Sequence, residues 1–272
     1  MGELRRLAMV NSDGKSRPPL EDPAGCQTTL VELRTRVLAR TPYDRLLTEL
    51  LTLDAAERAV EDGCDALFID TFGDYAIDAI RAITDVPVVG AGEASVAAAA
   101  RYGRFTIVTV WPRSMRFIYE ERLRTCPGGE NCVGVHYVSP EAELDLVGSP
   151  LGIRARMRRH ERAVIEELGK ACQRAAAADG ANAVLLGCTC MSPIAAELQA
   201  WCDVPVLDPS ALGQRAAFDA VMNGDRDGAR PRTMRTGQAR RLVDLWLRHD
   251  AAATTPEACD VCVIGDSTEE DQ

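Results

Sequence analysis

Apolar and polar residues alternate along this chain in a way that predicts strands and helices in turn. Leu4 to Val10 reads as a first strand, and Leu30 to Leu38 reads as a second, with Val31, Leu33 and Val37 on one face. Between them, Pro18, Pro19 and Pro23 exclude a regular helix. Tyr43 to Asp62 follows a helical period, with a break expected near Thr52-Leu53-Asp54, where Asp54 is a suitable cap. Further strands are expected to end at Thr71 and to cover Pro87–Val89, Phe105–Val110, Val133–Val138, the run before Cys188, and Val204–Leu207. Helices are expected over Tyr75–Ile83, from Ala91 to Arg101, after Pro112, as one long element from Ile153 to Ala178, over Ala195–Trp201, from Pro209 to about Met222, and over Arg232–His249. Glu141 to Pro150 is irregular and suits a lid.

Alternation of this kind predicts an α/β fold with largely parallel sheets covered on both faces. Ligands in such sheets bind beyond the carboxyl ends of the strands. Thr71, Cys188, Asn11 and Val110-Trp111 fall at those ends.

The chain also repeats itself. Gly63-Cys64-Asp65-Ala66-Leu67-Phe68-Ile69-Asp70-Thr71 lines up with Gly180-Ala181-Asn182-Ala183-Val184-Leu185-Leu186-Gly187-Cys188, so Thr71 falls on Cys188 (188 − 71 = 117). Asp85-Val86-Pro87-Val88 matches Asp203-Val204-Pro205-Val206 at an offset of 118. Two pseudo-symmetric lobes follow, with a site in the cleft between them. Residues 1–110 with about 208–250 are expected in the first lobe and 111–207 in the second. The polar tail 254–272 is expected to be disordered.

Composition narrows the chemistry. A net charge of −10 without an extended basic cluster argues against nucleic acid. No apolar run approaches a membrane span and the first residues lack an apolar export core, so a cytoplasmic location is expected. The ten cysteines are irregularly spaced, which in a reducing compartment predicts free thiols. Lys15 and Lys170, the two lysines, sit where neither invites a Schiff base, so any amino-acid chemistry should be cofactor-free. Gly14-Lys15-Ser16 is not a phosphate loop, because Met9 stands where that motif needs glycine. Cys259-x-x-Cys262 lacks a second pair at ligand spacing, so no metal site is expected. His136, His160 and His249 are scattered, and His136 ends a strand from which it would reach the cleft or simply pack.

Cys188 is the sharpest candidate. It follows the apolar run Ala183–Leu186 and Gly187, then precedes a helix start, where a thiolate is favoured. Its plain alternative is a buried structural thiol. The alternative for Thr71 and Asp74 is helix capping, and for Cys190 it is packing.

Asp70-Thr71-Phe72-Gly73-Asp74, Val88-Val89-Gly90-Ala91-Gly92-Glu93-Ala94, Leu186-Gly187-Cys188-Thr189-Cys190-Met191 and Val204-Pro205-Val206-Leu207-Asp208 resemble the aspartate/glutamate/hydantoin racemase superfamily, nearest its hydantoin branch. The resemblance spans roughly residues 60 to 220. It implies cofactor-free proton transfer at a carbon next to a carboxyl or carbonyl group, on an amino acid, its amide or a cyclic ureide. It also implies a cysteine at each half's strand end. Cys188 matches the second, whereas Thr71 replaces the first. Asn11-Ser12 stand where the family presents polar groups to a substrate carboxyl. Backbone N–H groups near Phe72-Gly73 and Thr189-Cys190 would hold a developing oxyanion, with Asp74 supporting Thr71 or facing substrate.

Three readings stay open. One is racemisation by Cys188 with a Thr71-centred relay. Another is decarboxylation or isomerisation with Cys188 as sole acid. The last is a binding or redox-sensing relative without turnover. Asp74 beside the cleft tilts the substrate toward a neutral ring or amide, and Arg113 and Arg116 would reverse that tilt if they faced inward. A homodimer is the base expectation for a soluble oligomer.

Overall fold

A computed structural model describes residues 4–11, 20–223 and 237–252. It contains two four-stranded parallel sheets flanked by helices, as the α/β pattern predicts. The first sheet is built from β1 (Arg5–Asn11), β2 (Cys26–Glu32), β3 (Ala66–Ile69) and β4 (Val88–Gly90), in the order β2-β1-β3-β4. The second uses β5 (Phe105–Thr109), β6 (Cys132–Tyr137), β7 (Ala183–Leu186) and β8 (Val206–Leu207), in the order β6-β5-β7-β8. The two orders are the same, and β3 and β7 hold equivalent places. Since β5 pairs in the second sheet, the first lobe ends before Phe105 and not at residue 110.

Strand periodicity explains why both faces are covered. In β1 and β3, Ala8, Val10, Leu67 and Ile69 join one core. Leu7, Met9, Ala66 and Phe68 join another on the opposite face. The first core is closed by α1 (Pro42–Glu61) and by α9 (Gln238–Ala252), which packs on it. The second is closed by α8 (Pro209–Asn223) beside α3 (Ala91–Ala100). The second lobe has one large core around Phe105, Ile107, Leu185 and Met191, covered in part by α4 (Arg116–Thr125) and α6 (Arg162–Asp179).

Several expected boundaries move, each for a physical reason. β2 begins at Cys26 and stops at Glu32, because its partner β1 runs out at Asn11. The residues Val37–Ala39 lie beyond its end and line the cleft between the lobes. α1 is unbroken at Asp54. Its start is fixed by the Thr41–Asp44 capping box, while buried Asp54 binds Arg34 and Arg58. The single long helix expected from Ile153 is two, α5 (Ile153–Arg158) and α6, separated at His160, whose φ is 52°. The expected lid at Glu141–Pro150 contains a 3-10 turn over Glu141–Leu146, with Leu144 and Val147 packed on the core. Ser12 and the 254–272 tail lie outside the described residues, as does the side chain of Asn11. No described helix is long and apolar enough to cross a membrane.

Candidate active site

The carboxyl ends of β3 and β7 open on one cleft of about 100 Å3 between the lobes. From the first lobe come Val37–Ala39, Thr48, the Asp70–Gly73 turn and Tyr75. The second lobe contributes Trp111, Met115, Ile118, Tyr119, Arg154 and Gly187–Cys190. Thr71 and Cys188 both line this cleft, and each keeps about 9% of its surface.

On the Thr71 side, alternation along β3 divides two neighbours. Asp70 faces the α8 side, where its Oδ1 accepts a 2.7 Å bond from the Ser210 hydroxyl. Burial, reinforced by Asp208, pushes the Asp70 carboxyl up to about 7. Thr71 turns the other way. Its Oγ1 is buried at the cleft with no hydrogen-bond partner among the described residues. A capping role would supply such a partner, so Thr71 does not act as the cap that its position suggested.

Asp74 stands elsewhere than expected. Its carboxylate accepts the Gly92 and Glu93 N–H groups, both at 2.7 Å, at the start of α3, and meets the buried Arg122 at 3.3 Å. A Cβ at Gly92 would lie 2.2 Å from the Phe72 carbonyl and 2.8 Å from Asp74 Oδ2, so glycine is needed for this approach. Asp74 therefore ties the Thr71 turn to α3 and does not line the cleft. Burial pushes its carboxyl up to about 7, against the pull of Arg122. Its own N–H donates to the Thr71 carbonyl at 3.1 Å, so its side chain and backbone both serve the turn from outside the cleft lining.

On the Cys188 side, Gly187 lets β7 pass close to its neighbours, since a Cβ there would lie 2.7 Å from Thr109 Cβ and 3.0 Å from Tyr119 Cε1. Tyr119 donates to the Gly187 carbonyl at 2.9 Å and shares a 2.5 Å bond with Thr109. Its burial pushes the phenol up, so it stays a neutral strut. Phe72 packs on the same ring, with centroids 5.4 Å apart. The Thr189 hydroxyl donates to the Asp70 carbonyl at 3.2 Å, joining the turn after β7 to the turn after β3.

Cys188 caps the following 3-10 turn, with its sulfur accepting the Cys190 N–H at 3.1 Å. The two sulfurs are also joined as a disulfide, which corrects the expectation that every thiol is free. The reason is local: the cap brings a cysteine two positions on back over the first. Cys26, Cys64, Cys126, Cys132, Cys172 and Cys202 are free. Cys259 and Cys262 lie outside the described residues, and among the described residues no group of three potential ligands could hold a metal ion.

The remaining candidates sort plainly. His136 pairs with Asp179 at 2.7 Å and is not in the cleft. Arg113 lies 6.0 Å from the Tyr137 ring centroid, and Arg116 pairs with Glu120 on the surface, so neither lines the cleft. Lys170 is an exposed partner of Glu166. Sequence reasoning missed Arg154, Tyr75 and Val37–Ala39 as residues that line the cleft. Arg154 lies on the segment that was expected to be part of one long helix and is instead α5, separated from α6 at His160.

The architecture defines a class: a two-lobed α/β protein with like-ordered parallel sheets and a sulfur and a hydroxyl at matching strand ends of one cleft. The Asp/Glu/Hydantoin racemase family model matches residues 27–217, and the chain belongs to that family. It is 32% identical to a hydantoin racemase of Pseudomonas sp. (strain NS671) over 185 residues, 68% of this chain and 69% of that one. It is 33% identical to a hydantoin racemase of Paenarthrobacter aurescens over 184 residues, 67% and 72% of the two chains. Among solved structures, allantoin racemase from Klebsiella pneumoniae shares the fold with a TM-score of 0.71 at 24% identity, covering 88% of this chain and 98% of that one.

Proposed function

We propose that this protein is a cofactor-independent racemase that moves a proton at a carbon next to a carboxyl or carbonyl group, on a small amino-acid derivative, amide or cyclic ureide. The reading rests on one observation. Cys188 and Thr71, from equivalent strand ends of two like-ordered sheets, line the same small cleft. The identity to two hydantoin racemases supports the same reaction class.

The chemistry assigns unequal roles. With the Cys188–Cys190 pair reduced, a Cys188 thiolate takes the α-proton from one face, leaving an enolate. The Phe72 and Gly73 N–H groups, without backbone acceptors among the described residues, suit the developing oxygen. A proton then reaches the opposite face from water through the Thr71 hydroxyl, and the Cys188 thiol returns its proton to solvent. In reverse the same path runs through a far weaker acid–base pair, because little threonine alkoxide exists near neutral pH. The exchange at the Thr71 face is therefore the slow one.

Thr71 itself favours a second reading, in which Cys188 alone protonates a carbanion left by decarboxylation and Thr71 only binds. A single-enantiomer 5-substituted hydantoin separates the two. Racemisation followed by polarimetry should run to zero rotation, and Cys188→Ala should abolish it. Carbon dioxide release from a substituted malonate, unaffected by Thr71→Ala, would carry the second reading instead.

A further inference from the structure

Tyr75 follows the Thr71 turn and lines the same cleft. The backbone on either side of it is unusual. Asp74 has a φ of 46° and Ala76 a φ of 59°, left-handed values that residues with a Cβ keep only where their surroundings hold them. Asp74 is held by its bonds to the start of α3 and to Arg122, and Ala76 leads directly into α2 (Ile77–Ile83). Between these two residues the Tyr75 ring lies back over the chain. A Cβ added at Gly73 would stand 2.7 Å from its Cε1 and Cζ and 3.1 Å from its Oη. The hydroxyl end of the ring thus covers Gly73, another residue of the cleft.

The Tyr75 hydroxyl has no hydrogen-bond partner among the described residues. Its charged neighbours are engaged with one another, Arg45 with Glu49 and Glu121, and Arg122 with Asp74. The hydroxyls of two other cleft residues are used inside the fold: Thr48 donates to the Val37 carbonyl at 3.0 Å, and Tyr119 to the Gly187 carbonyl at 2.9 Å. Burial pushes the Tyr75 phenol up from its ordinary range, so it keeps its proton near neutral pH and serves as a donor, not as a base. The Gly73 N–H beneath it has no backbone acceptor among the described residues.

We propose that the Tyr75 hydroxyl donates a hydrogen bond to substrate, at the carbonyl oxygen next to the acidic carbon, beside the Gly73 N–H. This deepens the racemase reading and rests on it for the identity of the reaction. When the α-proton passes to the Cys188 sulfur, the electron pair of the broken C–H bond forms the enolate double bond, and the carbonyl π pair moves onto that oxygen. The phenol keeps its own proton while the oxygen gathers charge. Its hydrogen bond is therefore stronger in the enolate than in the bound substrate, and Tyr75 acts on rate more than on affinity.

The test compares reduced wild-type protein with Tyr75→Phe, which keeps the ring and removes only the hydroxyl. The probes are 5-benzylhydantoin, phenylalaninamide and N-carbamoylphenylalanine, which share a side chain and a carbonyl next to the acidic carbon. Calorimetry reads affinity, and α-proton exchange in deuterium oxide reads rate. Tyr75→Phe should weaken the best-binding probe by about two- to tenfold, the range of one neutral hydrogen bond. It should slow exchange at saturation by about a hundredfold, as loss of one oxyanion donor does. Infrared spectroscopy of that probe, carrying a carbon-13 label at the carbonyl, gives a readout independent of turnover that a packing role would leave unmoved. The bound carbonyl band should lie lower in wild type than in Tyr75→Phe. The same band in both proteins, or no probe bound by wild type, would overturn the inference. A Tyr75-dependent band without exchange in wild type would leave the contact standing and remove the racemase reading. Exchange at the wild-type rate in Tyr75→Phe would remove the inferred role and leave the racemase reading standing.

Discussion

The turn after β3 and the turn after β7 occupy the same place in two like-ordered sheets, yet they carry different chemistry. One ends in Thr71, a hydroxyl with no partner among the described residues. The other ends in Cys188, a sulfur already engaged by the Cys190 N–H and the Cys190 sulfur. The scaffolding behind them differs as well. The first turn is held by a buried Asp74–Arg122 pair and the start of α3, the second by the Tyr119 phenol on the Gly187 carbonyl. The lesson is that a repeated fold fixes where two groups meet, and the residue placed at each strand end fixes how hard each can work on a proton.

The largest expected effect falls on the stronger of the two. Cys188→Ala should lower α-proton exchange by about a thousandfold or more, since it removes the thiolate to which the proton abstraction is assigned. Steady-state exchange rates at equal folded fraction check this. Oxidation should do nearly as much without mutation. A thiolate, not a disulfide, is the working species, so activity should vanish without a thiol reductant and return with it. Cys190→Ser should make the enzyme indifferent to reductant, which parallel assays would read.

Thr71 sharpens the comparison from the other side. Thr71→Val should slow exchange by about ten- to a hundredfold, the range of one general acid–base contribution at its lower end. Thr71→Cys should raise racemisation above wild type by matching the two turns, as chiral chromatography of the product would show. A Thr71→Cys rate equal to that of Thr71→Val would break the equivalence of the two strand ends.

The supports should affect stability more than chemistry. Arg122→Met leaves Asp74 buried beside α3 without its cation, at a cost of about 3–5 kcal/mol in denaturant unfolding. The smallest effect is a pH trend. Burial raises the folded-state Asp70 carboxyl from its ordinary value of 3.8 to about 7, so the folded protein holds that proton more tightly. Its stabilising contribution is whole below about pH 4 and is lost as pH rises toward 7. The Tm of wild type relative to Asp70→Asn should therefore fall across that window, and a flat difference would show that Asp70 does not titrate there.

Much of this was legible from residue order. The internal match between Asp70-Thr71 and Gly187-Cys188 located β3 and β7, and their apolar runs gave the parallel sheets. Boundaries slipped where partners and caps decide them: β2 stops because β1 stops, and α1 passes Asp54 because that carboxylate meets Arg34 and Arg58 in three dimensions. The site was legible as far as the strand ends reach. The orientation of Asp74 was not, since it depends on α3 arriving from the next unit of the fold. Arg154 lies on α5, which is cut from α6 by a left-handed residue at His160 that no glycine announces. The Cys188–Cys190 junction follows from a cap geometry that spacing alone leaves open.

Solvent deuterium incorporation, followed by mass spectrometry for a single enantiomer of an amino acid, amide or hydantoin under reducing conditions, tests the central arrangement most directly. With Cys188 and Thr71 on either side of one acidic carbon, deuterium should enter the α-position of both recovered substrate and its mirror image, and entry should cease in Cys188→Ala. Incorporation that survives Cys188→Ala, or none with any member of those three substrate classes, would contradict it.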